Sequence, residues 1–119
     1  MTTILIVGLD GDLQTLVSRM LDTPEWNPVV CATEAEAKAV LATKVVELLL
    51  IGVRPLFDGR AIAERLRGRA PDLRVLYVTA WHGHPDFADL ESEDLVPEPF
   101  TREQLTSAIA SALRRGQRS

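Results

Sequence analysis

Ile4-Leu5-Ile6-Val7-Gly8 is a short apolar run, rich in β-branched residues and closed by a glycine. Such a run reads as a strand buried on both faces. The residues after it change period. Leu13, Leu16, Val17, Met20 and Leu21 recur at the i, i+3, i+4, i+7, i+8 spacing of one helix face. Asp10 or Asp12 can cap that helix. Strand, tight turn and helix are the first half of a βαβ unit. The rest of the chain repeats the pattern.

Pro24 and Pro28 bracket the next turn, and Val29-Val30-Cys31-Ala32 reads as a second strand. Thr33 and Glu36 form a capping box ahead of a helix whose buried stripe is Ala37, Val40 and Leu41. Val45 to Ile51 is the longest strand-like run and ends at Gly52. Asp58 then caps a third helix carrying Ala61, Ile62 and Leu66. Val75-Leu76-Tyr77-Val78 is a fourth strand, ending at Thr79. A polar loop leads to Pro85, which suits the first turn of a short helix with Phe87 and Leu90. Leu95-Val96 is a weak fifth strand. Pro97 places it at a sheet edge. Thr101 and Gln104 form a second capping box, before a last helix with Leu105, Ile109 and Leu113 on one side and Ala108 and Ala112 beside them.

Strict alternation implies a parallel sheet covered by helices on both faces, an α/β three-layer sandwich of five βα units. In such sheets the functional crevice lies at the carboxyl ends of the strands. Here those ends are Gly8 to Asp10, Gly52 to Arg54, Thr79 to His82, and Glu98.

Composition agrees with one soluble domain. The chain has 119 residues, 46% apolar and 25% charged, a net charge of −4 and one cysteine, Cys31. A single cysteine excludes an intrachain disulfide and any Cys-based zinc cluster. No uninterrupted apolar stretch exceeds the length of Leu48 to Ile51, which is far too short to span a membrane. No basic leader precedes the first strand, so the expected compartment is a reducing cytoplasm. An acidic domain is a poor match for direct nucleic-acid binding. Charge is nevertheless uneven. Asp86, Asp89, Glu91, Glu93, Asp94 and Glu98 form an acidic run with no base, whereas five arginines lie between Arg60 and Arg74. These clusters are either solvated surface or complementary faces for a partner.

Ile4 to Val7 with Asp10 and Leu13, Asp58-Gly59, Thr79-Ala80, and Pro99-Phe100-Thr101 before the last helix together resemble a response-regulator receiver domain of the CheY-like type. The resemblance runs from Ile4 to about Leu113. It implies a flavodoxin-like sheet of order 2-1-3-4-5, a receiver-like domain over residues 1–115, and a polar tail or linker stub at 116–119. It also implies bacterial two-component signalling in the cytoplasm.

A working receiver holds Mg²⁺ with two acids after strand 1, because a hard cation takes oxygen ligands. An aspartate ending strand 3 takes the phosphoryl group. A lysine after strand 5 and a threonine bind its oxygens. In this chain the acid pair falls on Gly8 and Leu9, the acceptor on Gly52 and the lysine on Glu98. A one-residue slip at Gly52 lands on Ile51 or Val53, neither of them an acceptor. Only Thr79 is kept, and the aromatic switch position falls on Leu95. The implied module is a pseudo-receiver, not an enzyme, with no cofactor and no Mg²⁺ binding expected. It is expected to act by protein–protein interaction, independently of phosphorylation.

Two other expectations stay open. A displaced aspartate, Asp10 or Asp58, could accept phosphate, although each also reads as a helix cap. A small ligand could enter the space left between Gly8, Gly52 and Thr79. Trp81 could fill that space instead. His82 and His84 are two candidate metal ligands without the third and fourth that a site needs. Glu98-Pro99 matches a junction that is usually cis in the family. The family's usual partner surface maps onto Asp86, Asp89, Leu90, Glu91, Leu95, Arg102 and Arg114. Candidate partners there are an output domain, a histidine kinase or a second copy forming a homodimer.

Overall fold

In a computed structural model, residues 2–53, 58–79 and 94–116 are described. They form β1 (Thr2–Val7), α1 (Gly11–Met20), β2 (Trp26–Cys31), α2 (Glu34–Thr43), β3 (Leu48–Gly52), α3 (Gly59–Arg69), β4 (Arg74–Thr79), β5 (Leu95–Pro97) and α4 (Arg102–Gly116). The five strands make one sheet of order β2-β1-β3-β4-β5, with every pairing parallel. The helix expected at Pro85, with Phe87 and Leu90, lies outside the described residues.

The alternation of β1 explains its unbroken apolar run. Ile4 and Ile6 face one cluster with Val17, Leu21, Leu105 and Ile109, so α1 and α4 cover that face. Leu5 and Val7 face a second cluster with Ala37, Ala63 and Leu66, so α2 and α3 cover the other. Each buried Leu or Ile contributes roughly 1.5–3 kcal/mol. Cys31 ends β2 as a small buried hydrophobe, and its thiol pKa is raised by burial and then by Glu36.

Helix starts follow their capping residues. Asp10 accepts from the Leu13 N–H at 3.0 Å, and Asp58 from the Ala61 N–H at 3.1 Å. Both capping boxes form. Thr33 and Glu36 exchange bonds of 3.1 and 3.3 Å, and Thr101 and Gln104 bonds of 3.1 and 2.8 Å.

The structure corrects several boundaries. Pro28 does not close a turn but lies inside β2, which begins at Trp26. β2 is an edge strand, where one side has no partner and a missing N–H removes no ladder bond. β3 begins at Leu48, so Val45, Val46 and Glu47 precede it, and Val45 is 81% exposed. Glu47 ends the ladder there. Its N–H donates to the Thr3 carbonyl at 3.1 Å, and its carboxylate takes the Thr3 N–H at 2.6 Å. On α1, Leu16 is 48% exposed, at the edge of the stripe that Val17 and Leu21 bury. On α3, Ala63 rather than Ala61 is fully buried.

One tertiary contact has no local signature. Arg65 on α3 donates to both carboxylate oxygens of Glu34 on α2, at 2.8 and 2.7 Å. Lys38 adds a 3.4 Å ion pair. Arg65, then Lys38, lowers the Glu34 pKa to about 2.

Candidate functional site

The parallel sheet brings Gly8, Leu9, Asp10, Gly52, Thr79 and Glu98 to its carboxyl end. They divide into two unlike sides.

On the β1–β3 side the strand ends are tightly packed. Gly8 follows β1 with φ 77°, a left-handed conformation that glycine adopts freely. That turn brings its carbonyl against the end of β3. A Cβ placed on Gly52 would lie 2.5 Å from the Gly8 oxygen and 3.1 Å from Leu9 Cδ2. Leu9 is only 7% exposed, although it sits in a loop. A Cβ on Gly59, the first residue of α3, would in turn collide with the Gly52 carbonyl oxygen. The backbones of both loops therefore press against the end of β3. Leu9 and the Gly8 carbonyl take the space that a Gly52 side chain would occupy. Trp81, expected to fill it, lies outside the described residues, as do His82 and His84.

The β4–β5 side keeps a polar frame. Thr79 is fully buried at the end of β4. The Glu98 N–H donates to the Thr79 carbonyl at 2.9 Å, which sets the strand-to-helix junction. The Glu98-Pro99 peptide is cis, in line with expectation. Burial raises the Glu98 pKa, and the negative charge of Asp10 pushes it the same way. A carboxylate therefore faces a carboxylate where the family pattern has a lysine.

These residues do not fit Mg²⁺. Gly8 and Leu9 have no side-chain oxygen, and one Asp10 oxygen caps α1. Among the described residues no group of three or more His, Cys, Asp or Glu is placed to hold a metal ion. Asp10 and Asp58 are both committed as caps, and both are exposed.

The candidate partner surface is described in part. Leu95 is half-buried in β5, paired in register with Tyr77. Arg102 and Arg114 are exposed on α4, and Arg114 donates to the Ser111 hydroxyl at 3.2 Å. Asp86, Asp89, Leu90 and Glu91 lie outside the described residues. The sequence marked Leu9 only as a lost acid. Its role as filler depends on its contact with Gly52, more than forty residues away, which no spacing rule reveals.

Among the described residues no helix is long and apolar enough to cross a membrane. No protein-family model matches the chain. It is similar to the transcriptional regulatory protein CpxR of Klebsiella pneumoniae, 30% identical over 118 residues, covering 97% of this chain and 50% of that protein. It is also similar to the response regulator MprA of Mycobacterium tuberculosis, 28% identical over 116 residues, covering 94% and 50%. The chain thus spans about half the length of these relatives. Its fold matches a CheY-like receiver domain from Methanospirillum hungatei, with a TM-score of 0.82 at 18% identity, covering 98% of this chain and 97% of that one. The curated relatives are response regulators, and the fold is that of the CheY-like receiver domains.

Proposed function

We propose that this receiver domain serves two-component (phosphorelay) signalling as a non-catalytic module, independent of phosphorylation and working through protein–protein contacts. The observation that supports this most is the end of β3. The acceptor position is a glycine, and its would-be Cβ lies 2.5 Å from the Gly8 carbonyl oxygen. Neither the nucleophile nor the room for one is present. Glu98 adds repulsion, since a carboxylate stands where a phosphoryl group needs a cation. Asp10 and Asp58 each hold a helix N-terminus, which favours their structural role over that of a displaced acceptor.

The partner is a protein: an output domain, a histidine kinase or a second copy. The surface is the one that includes Leu95, Arg102 and Arg114, with the acidic run Asp86 to Glu98 as its opposite charge. Exposed arginines and an acidic run on the same chain suit a self-complementary contact.

The test is phosphorylation with a small phosphoryl donor and Mg²⁺, read by intact mass. The expected result is no added mass of one phosphoryl group. Addition that Asp10→Asn or Asp58→Asn abolishes would overturn the proposal. Light scattering tests the surface. Arg102→Glu combined with Arg114→Glu is expected to weaken any self-association at least tenfold while leaving the melting temperature unchanged.

A further inference from the structure

We infer that Leu9 is an intramolecular plug that locks the carboxyl end of the sheet in one conformation. This rests on the proposed loss of phosphoryl chemistry and adds how the fold uses the vacated space. Three observations carry it. Leu9 lies in the loop between β1 and α1, yet is only 7% exposed. Its Cδ2 lies 3.1 Å from where a Gly52 Cβ would be, so it occupies the side-chain space that Gly52 lacks. It also belongs to the apolar cluster that contains Val78 and Val96, the residues just before Thr79 and Pro97. The plug thus shares one apolar cluster with β4, which ends at Thr79, and with β5, which ends one residue before Glu98.

Packed cores switch between discrete arrangements rather than deforming smoothly. With Leu9 packed against the end of β3, any rearrangement there has to displace a buried leucine. Gly52 and Leu9 are then mutually dependent. Glycine at 52 makes room for the leucine, and the leucine removes the cavity that glycine would leave.

The test is ¹⁵N relaxation dispersion on the whole domain, read at the amides of Gly8, Leu9, Gly52 and Thr79. Native protein is expected to give flat profiles. Leu9→Ala is expected to give millisecond exchange at Gly52 and Thr79, and Leu9→Met, which keeps the volume, to stay flat. If Leu9→Ala does not fold, Leu9→Val carries the same comparison. Exchange at these amides in native protein, or flat profiles in the truncated variant, would overturn the plug. Beryllofluoride with Mg²⁺ separates the two ideas. Saturable shifts near Asp10 in native protein would overturn phosphorylation independence. Flat beryllofluoride titrations with exchange already in native protein would overturn the plug alone.

Discussion

The two sides of the crevice depart from the receiver pattern in different ways. Between β1 and β3, side chains that would hold a metal and a phosphoryl group are replaced by backbone contact and one leucine. Gly8, Leu9 and Gly52 now form a packing unit. Between β4 and β5, the polar frame persists with its charge reversed. Thr79 stays buried, and Glu98 keeps its backbone bond to Thr79 while facing Asp10. The first side is closed by sterics, which single substitutions cannot easily undo. The second is closed by electrostatics, which one substitution changes. The two sides should therefore respond very differently to attempts at restoration.

The largest expected effect is on the packed side. Gly52→Asp puts back the acceptor residue by name. Its Cβ meets a backbone oxygen at 2.5 Å, which no rotamer change relieves. Overpacking and burial of a carboxylate beside a carbonyl together cost at least about 3 kcal/mol. Chemical denaturation is expected to show that loss. Phosphoryl donors are expected to leave the variant unmodified. A Gly52→Asp protein as stable as the native chain would mean that the loop of Gly8 and Leu9 moves freely. The contrast between the two sides would then fail.

Much of this was legible in the sequence, and the reasons differ by element. The parallel sheet followed from the alternation of periods, and its strand order from the resemblance. Three caps followed from Thr33, Asp58 and Thr101, and the first from a choice of Asp10 or Asp12 that falls on Asp10, because a capping bond is made within three residues. Pro28 misled because a proline in an edge strand and one in a turn look alike locally. Val45 and Val46 misled because apolar identity does not say where a ladder stops. The strand starts at Leu48, just past Glu47, whose carboxylate takes the Thr3 N–H across 44 positions. Glu34–Arg65 and Leu9–Gly52 were not legible at all. Each joins residues far apart in the chain, and neither residue type implies its partner. That Gly8, Leu9 and Gly52 carry no carboxylate and Glu98 no positive charge is plain from residue identity; the packing of Leu9 beside Gly52 is not.

The smaller effect belongs to the electrostatic side, and its pH dependence can be signed. The folded-state pKa of Glu98 is raised above its ordinary value of 4.5 by burial and by Asp10. The folded protein thus holds that proton more tightly than the unfolded chain. The contribution to stability is greatest below 4.5, falls as pH rises through the raised value, and is a full penalty above it. Glu98→Gln cannot ionise. It is expected to be more stable than native protein at neutral pH, by less than about 1 kcal/mol because the site is partly exposed. The advantage should vanish below the ordinary carboxylate range. Glu34 gives native protein the opposite slope. Held at about 2 by Arg65, it adds stability that is present above 4.5 and lost as pH falls toward 2. Both proteins carry Glu34, so the difference between their urea midpoints from pH 3 to pH 8 isolates Glu98. A difference that stays constant across that range would mean that Asp10 and burial do not act on Glu98. The β4–β5 side would then be closed, like its neighbour, by shape alone.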